Sequence, residues 1–181
     1  MIWLKSIIGS TALVVISSCA PSQGVTPVVQ AEHWTPKAIA SDQYETTPTF
    51  TADGREMYFF RGDPTFSTYQ LFWSKCENGD WSAAMPVPFA SPAPVIEADP
   101  GITPDGKRLY YISTRHAPGS DDFDIWYVDR IGSGWGDPQR LPEPVNSPAP
   151  ELLPRADREG NLYFGSARTG GQGQGDIYVA K

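Results

Sequence analysis

Apolar residues are distributed along this chain in two different ways. From Met1 to Ser18 the sequence reads MIWLKSIIGSTALVVISS, with one positive side chain at Lys5 and then an apolar run from Ile7 to Ile16 broken only by small residues. The run is too short for a stable bilayer-spanning helix, and its flanks fit a secretory leader. From residue 33 onward the pattern changes to short segments rich in Tyr, Phe, Ile and Trp, separated by turn residues. Nowhere in that part do apolar positions recur at i, i+3, i+4, i+7 over a helix-length window, so residues 33–181 are predicted to be all-β. Between the two lies CAPSQGVTPVVQAE, residues 19–32, which has no periodicity and the Pro, Ser, Gln and Gly content of a flexible tether.

The β part repeats with a period of about 50 residues. A turn dipeptide recurs as Asp53-Gly54, Asp105-Gly106 and Glu159-Gly160. Each is followed by a short aromatic strand: Met57-Tyr58-Phe59-Phe60, Leu109-Tyr110-Tyr111-Ile112 and Leu162-Tyr163-Phe164-Gly165. Each is preceded by an acid and a proline: Glu45 and Pro48, Glu97 and Pro100, Glu151 and Pro154. A third segment recurs as Gln70-Leu71-Phe72-Trp73, Asp124-Ile125-Trp126-Tyr127 and Asp176-Ile177-Tyr178-Val179. A fourth carries a tryptophan and a later proline: Trp34 with Pro36, Trp81 with Pro86, Trp135 with Pro138. Asp-Gly between extended runs is a hairpin signal, because glycine supplies the positive φ that tight turns need. Four short strands per period is the pattern of a propeller blade.

The middle copy carries a resemblance. Residues 99–111, DPGITPDGKRLYY, followed by Ser113-Thr114-Arg115 and Asp124-Ile125-Trp126, resemble the WD40-like (PD40) repeat of TolB-type β-propellers. The resemblance spans residues 33–181. The first copy departs from it, with Gln70 in place of the aspartate and Arg61-Gly62-Asp63 in place of the Ser-x-Arg ending; the third has Glu159 at the turn and is one residue shorter there. The implied fold is a partial β-propeller of about three four-stranded antiparallel blades. Its strand order leaves the last blade without an outer strand and a lone Trp34 strand at the start, which suggests interlocking closure. Propellers have four to eight blades, however. Two arrangements follow: half of a six-bladed ring completed by a homodimer, or a truncated propeller with open edges.

Ile16-Ser17-Ser18-Cys19 resembles the lipobox of a bacterial lipoprotein signal. That resemblance implies lipidation at Cys19, removal of residues 1–18 and durable anchoring by several acyl chains. Ala20, where an aspartate would hold such a protein at the inner membrane, implies the outer membrane facing the periplasm. An ordinary cleaved leader with a chance cysteine is the alternative. Cys76, in the turn-like stretch Lys75-Cys76-Glu77-Asn78-Gly79-Asp80, is expected to be a bystander thiol, and two cysteines make no disulfide scaffold.

Composition narrows the partners. With 181 residues, 40% hydrophobic and 12% aromatic, there is apolar material for one core. A net charge of −7, one unit more negative once Lys5 is gone, offers no basic face for nucleic acid. With two histidines, His33 and His116, a His-built metal site lacks ligands. No Gly-x-Ser-x-Gly elbow and no His-Glu-x-x-His is present, so the chain is expected to be non-catalytic.

Arg115 and Arg168 recur just before Asp124 and Asp176 and are expected to pair with them inside each blade, in preference to lining an anion-binding channel. Trp34, Trp81 and Trp135, one per repeat, are expected to pack between blades in preference to stacking on sugars. Recognition is expected where the repeats differ, in the loops 62–69, 116–123 and 169–175, which occupy the same repeat position and should share one face. Asp63, His116, Asp121, Asp122 and Asp124 are the candidate ligand residues there. Three aspartates offer oxygen ligands for Ca²⁺, but without the regular spacing of a dedicated loop, so no cofactor is assigned. The expected function is a non-catalytic, lipid-anchored periplasmic module that binds a protein or cell-envelope partner through its loop face. A carbohydrate-binding or carbohydrate-active propeller and an inactive fragment are the alternatives.

Overall fold

The computed structural model describes residues 31–181; the leader, Cys19 and most of the tether lie outside the described residues. Three antiparallel sheets follow one another. In the first, β1 (Tyr44–Phe50), β2 (Glu56–Gly62) and β3 (Tyr69–Glu77) form a meander, and the short β4 (Asp80–Trp81) and β5 (Met85–Pro86) both pair with β3. The second repeats this with β6 (Glu97–Ile102), β7 (Arg108–Ser113) and β8 (Asp124–Ile131), on which β9 (Gly134–Trp135) and β10 (Gln139–Arg140) pair. The third has β11 (Glu151–Ala156), β12 (Leu162–Ser166) and β13 (Asp176–Ala180), with no outer strand among the described residues.

Turn chemistry explains the hairpins. Thr51 Oγ1 donates to Asp53 Oδ1 (2.6 Å), which also accepts from the Arg55 amide (3.0 Å), and Gly54 takes φ 68°. Thr103, Asp105, Lys107 and Gly106 repeat this at 2.7 Å, 3.0 Å and φ 71°. In the shorter third turn the organising carboxylate is Asp157 and not Glu159: it accepts from the amides of Glu159 (3.0 Å) and Asn161 (2.9 Å), with Gly160 at φ 89°.

Each first strand also carries a bulge, at Thr46/Thr49, Ala98/Gly101 and Leu152/Arg155. There Thr47, Asp99 and Leu153, each followed by the repeat's proline, sit in the left-handed region at φ 49°, 52° and 54°. Non-glycine residues seldom adopt that conformation. Its recurrence at one position makes the bulge a built-in feature of the repeat.

Side-chain alternation then sets the packing. Tyr58 and Phe60 on β2 and Leu71 on β3 join Leu109, Tyr111, Ile125 and Val128 of the second sheet and Leu162 and Phe164 of the third in one core. Met57 and Phe59, on the opposite side of the first sheet, are buried with Ile39, Cys76 and Trp81 in a second cluster. The second sheet is in the middle: β6 touches β2 on one side and β11 on the other, whereas β11 to β13 touch none of β1 to β5. The three blades therefore form an open arc.

Two expectations are corrected here. Residues 33–43 form no strand and do not pair with β13. The amides of Ile39 and Ala40 close a turn on the Pro36 carbonyl, Ile39 is buried, and Trp34, half exposed, stands edge-on to Trp81 (6.2 Å) and Phe50 (6.1 Å). The segment caps the first blade of its own chain, so the interlocking closure through Trp34 is absent. Cys76 is neither in a turn nor a bystander: it lies within β3, opposite Trp81, buried and partnered.

Candidate functional site on the loop face

The connections β2–β3, β7–β8 and β12–β13 all leave the same end of the arc, as the repeat alignment requires. That end is braced by one device in every blade. Arg115 Nη2 donates to Glu97 Oε1 (2.8 Å) and to the Phe89 carbonyl (2.8 Å). Arg168 bonds Glu151 Oε1 (2.9 Å) and the carbonyls of Pro144 (2.6 Å) and Val145. In the first blade Arg61 bonds Glu45 Oε1 (3.0 Å) and the Ile39 carbonyl (2.7 Å). Each arginine thus ties its blade's first strand to the segment leading into it. Burial raises the Glu97 carboxyl's pKa, and the Arg115 hydrogen bond and charge pull the other way.

The expected Arg115–Asp124 and Arg168–Asp176 pairs are therefore corrected to Arg115–Glu97 and Arg168–Glu151. Asp124 is taken by residues from elsewhere. Its Oδ2 lies 2.5 Å from Arg140 Nε on β10 and 2.8 Å from His116 Nδ1, and His116 Nε2 lies 3.2 Å from Asp122 Oδ2. His116, Asp122, Asp124 and Arg140 form a chain of close contacts that anchors the second loop to a fully buried carboxylate. Asp121 is exposed on the same loop. Asp176 accepts from the amides of Gln172 (2.9 Å) and Gly173 (3.3 Å), and a Cβ on Gly171 would stand 1.9 Å from its Oδ2, which is why the loop is glycine there.

Asp63 organises the first loop in the same inward manner. It accepts from the hydroxyls of Thr65, Thr68 (2.7 Å) and Ser67 (3.0 Å) and from the amide of Thr65 (2.8 Å), which hold its carboxyl below the usual carboxylate range. Of the five candidate ligand residues, the structure joins His116, Asp122 and Asp124 and keeps Asp63 on a separate loop. Among the described residues no group of three or more His, Cys, Asp or Glu side chains is placed to hold a metal ion.

What the loop face does offer is a cavity of about 470 Å³ between the first and second blades. Ser67, Thr68, Tyr69 and Gln70 line it from the first blade, and Ala93, Pro94, Val95, Ile96 and Gly119 from the second repeat. Gln70 stands where the other repeats have the loop-tethering aspartate, so the cavity opens where the first repeat departs from the pattern. Sequence reasoning named Gln70 as a departure but not as a lining residue. The opposite face holds a cavity of about 520 Å³ among the hairpin turns, lined by both charge signs, with Arg55, Lys107 and Arg130 against Asp53, Glu56 and Asp105.

The tryptophans brace this scaffold. Trp135 packs on Tyr58 of the preceding blade (5.8 Å), donates to its hydroxyl (3.3 Å) and lies under the Arg130 guanidinium (4.4 Å), which pairs with Glu56 at 2.5 Å. Trp81 is buried against Phe50 and Trp34 on the first blade's other side.

With this geometry in hand, the chain can be set beside solved structures. It is similar to a Mycobacterium tuberculosis puromycin-hydrolyzing peptidase, with 19% identity, a TM-score of 0.55, and coverage of 79% of this chain and 21% of that one. It is also similar to a TolB protein from Agrobacterium tumefaciens, with 15% identity, a TM-score of 0.50, and coverage of 77% and 49%. The fold is a partial β-propeller. The chain spans about a fifth of the peptidase and half of the TolB protein, so the likeness concerns the blades. No family model and no curated protein matches the sequence.

Proposed function

We propose that this chain is a non-catalytic binding module of the bacterial envelope, held by a lipid at Cys19 and facing the periplasm, that takes a protein or envelope partner on its loop face. The cavity between the first two blades carries this reading. It is the place on the loop face where the tethering aspartate is replaced, by Gln70, and hydroxyl- and amide-bearing residues line it beside Arg61. Loops presented by a rigid blade scaffold are where such folds place recognition. Gln70→Trp should fill the cavity and abolish capture of a partner from envelope extracts while leaving the circular dichroism spectrum unchanged. Retained capture would sink the assignment.

The same lining favours one second reading. Tyr69 and Phe72 beside Ser67, Thr68 and Gln70 combine aromatic faces with hydroxyl and amide groups, the mixture a saccharide ring needs. A glycan binding and turnover screen separates the two, and saccharide turnover would replace the first reading. The anchor has its own test. Cys19→Ser should end palmitate incorporation and release the chain from the membrane fraction.

A further inference from the structure

The charges around the loop-face cavity are paired within the chain. Among the described residues that line it, Arg61 alone is charged. Its Nε donates to Glu45 Oε1 (3.0 Å), its Nη2 to the Ile39 carbonyl (2.7 Å), and its guanidinium lies over the Phe72 ring at 4.5 Å. Asp63, on the adjoining loop, accepts from Ser67 and Thr68, so these two hydroxyls are committed as well. Glu97, which takes the Ser91 amide (3.2 Å), is bonded to Arg115 at 2.8 Å. A charged ligand would give up its water here and meet no free counter-charge, which is costly.

The groups left without a partner are neutral. The side-chain amides of Gln43 and Gln70 and the Tyr69 hydroxyl make no hydrogen bond among the described residues. Register puts Asp124 and Asp176 at the place of Gln70 in the other repeats, and each of those carboxylates is held. Asp124 lies 2.8 Å from His116 Nδ1, and Asp176 accepts from the Gln172 amide (2.9 Å). The first repeat thus presents an unbonded amide where its fellows present an occupied carboxylate. A carboxamide both donates and accepts, which suits hydroxyl and acetamido groups. Ala93, Pro94, Val95 and Ile96 add apolar surface, and at about 470 Å³ the cavity has the size of a small-molecule site. Backbone pairing is not on offer. β3 has β2 on one side, through Arg61 opposite Gln70, and β5 on the other, through Phe72 opposite Pro86. A peptide that binds by strand addition needs a free edge.

We infer that this cavity binds an uncharged saccharide bearing N-acetyl groups, part of an envelope glycan. The inference rests on the loop face as the recognition surface and names the chemistry that surface takes. The Gln70 and Gln43 amides meet the sugar's hydroxyl and acetamido groups, and Tyr69 offers an aromatic body with a polar tip. The apolar residues 93–96 receive the acetyl methyl groups.

Calorimetric titration of the whole chain, in a non-glycosidic detergent, with N,N′-diacetylchitobiose and with its deacetylated, cationic form tests this. The acetylated disaccharide should bind at least about tenfold more tightly, since a site built from neutral hydrogen-bonding groups rejects an analogue that mismatches them. Gln70→Glu, equal in size but one charge more negative, should weaken the acetylated form at least about tenfold and favour the cationic one. A thermal melt verifies the fold of that variant, and Gln43→Glu, at an exposed position, repeats the test if it fails. Equal binding of the two disaccharides, or indifference to both glutamate variants, overturns the proposal. Absence of binding by either sugar also overturns it; if Gln70→Trp still abolishes capture from envelope extracts, the ligand class falls and the loop-face reading stands.

Discussion

Arg115 reaches back from the β7–β8 loop to Glu97 at 2.8 Å, and the carboxylate it meets is only 1% exposed. A carboxylate so buried depends on its partner, because removing one member of a buried pair leaves an uncompensated charge. Arg115→Ala should therefore destabilise the chain by about 3–5 kcal/mol. Glu45, which is less buried, should tolerate the loss of Arg61 better. Urea unfolding midpoints of the two variants check the order, and equal losses would contradict it.

The repeat was legible in the sequence, and with it the three sheets, their hairpins and the shared loop face. The partner of each arginine was not. Glu45, Glu97 and Glu151 stood out as recurring acids, but the aspartates lay closer in sequence to Arg115 and Arg168 and drew the assignment. Register decides otherwise: Glu97 faces Ser113 across β6 and β7, within reach of an arginine two residues on, while Asp124 is claimed by Arg140. In the first blade the arginine itself occupies the serine position, opposite Glu45, so the brace survives a broken motif. The cavity was illegible for a similar reason, since it depends on two loops distant in sequence. The fate of residues 33–43 turned on a Pro36 turn and one arginine hydrogen bond, neither of which hydrophobic patterning reports.

Gly101 marks a close approach between the second and third blades. A Cβ there would lie 2.3 Å from the Pro154 carbonyl oxygen, a backbone atom that cannot rotate away. Gly101→Ala should separate the blades and cost about 1–3 kcal/mol as overpacking, with faster amide exchange along β11. Gly106→Ala meets no neighbouring atom and strains only a left-handed φ of 71°. Its effect should stay in its own turn. Exchange rates in β11 that are raised by both variants alike would refute the distinction.

Acid should loosen the turns before the core. Asp53, Asp105 and Asp157 each have a pKa lowered first by a side-chain hydrogen bond, from Thr51, Thr103 and Asn161 respectively, and then by backbone amides. A carboxyl lowered in the folded chain contributes stability above its unfolded pKa and loses it as pH falls through the folded value. Glu97 and Asp99 have pKa values raised by burial and act with the opposite sign. The turn aspartates should therefore make the melting temperature fall as pH drops below about 4. Asp105→Asn, which keeps an acceptor but cannot titrate, should flatten that slope; an unchanged slope would remove the turns from the account.

Asn146 had no signal in the sequence, yet its buried amide bonds through both its oxygen and its nitrogen. It is 1% exposed, accepts from the Ile125 amide (2.7 Å), and donates to the carbonyls of Ile125 (3.0 Å) and Leu141 (2.7 Å). It takes the place of a strand partner where β10 has ended and the chain turns toward β11. No asparagine occurs in the matching stretch 87–96 of the first repeat, so the residue belongs to this junction and not to the repeat. Asn146→Ala would take a partner from the buried Ile125 amide and the Leu141 carbonyl, while the Ile125 carbonyl keeps the Leu141 amide (3.0 Å), at a cost of about 1–3 kcal/mol for such a group. Asn146→Asp should cost more, since it sets a buried charge against two carbonyl oxygens. The Ile125 amide should exchange faster in the alanine variant while the Leu71 amide, in the first blade, keeps its protection. If both amides lose protection together, the junction is not a local staple but part of the cooperative core.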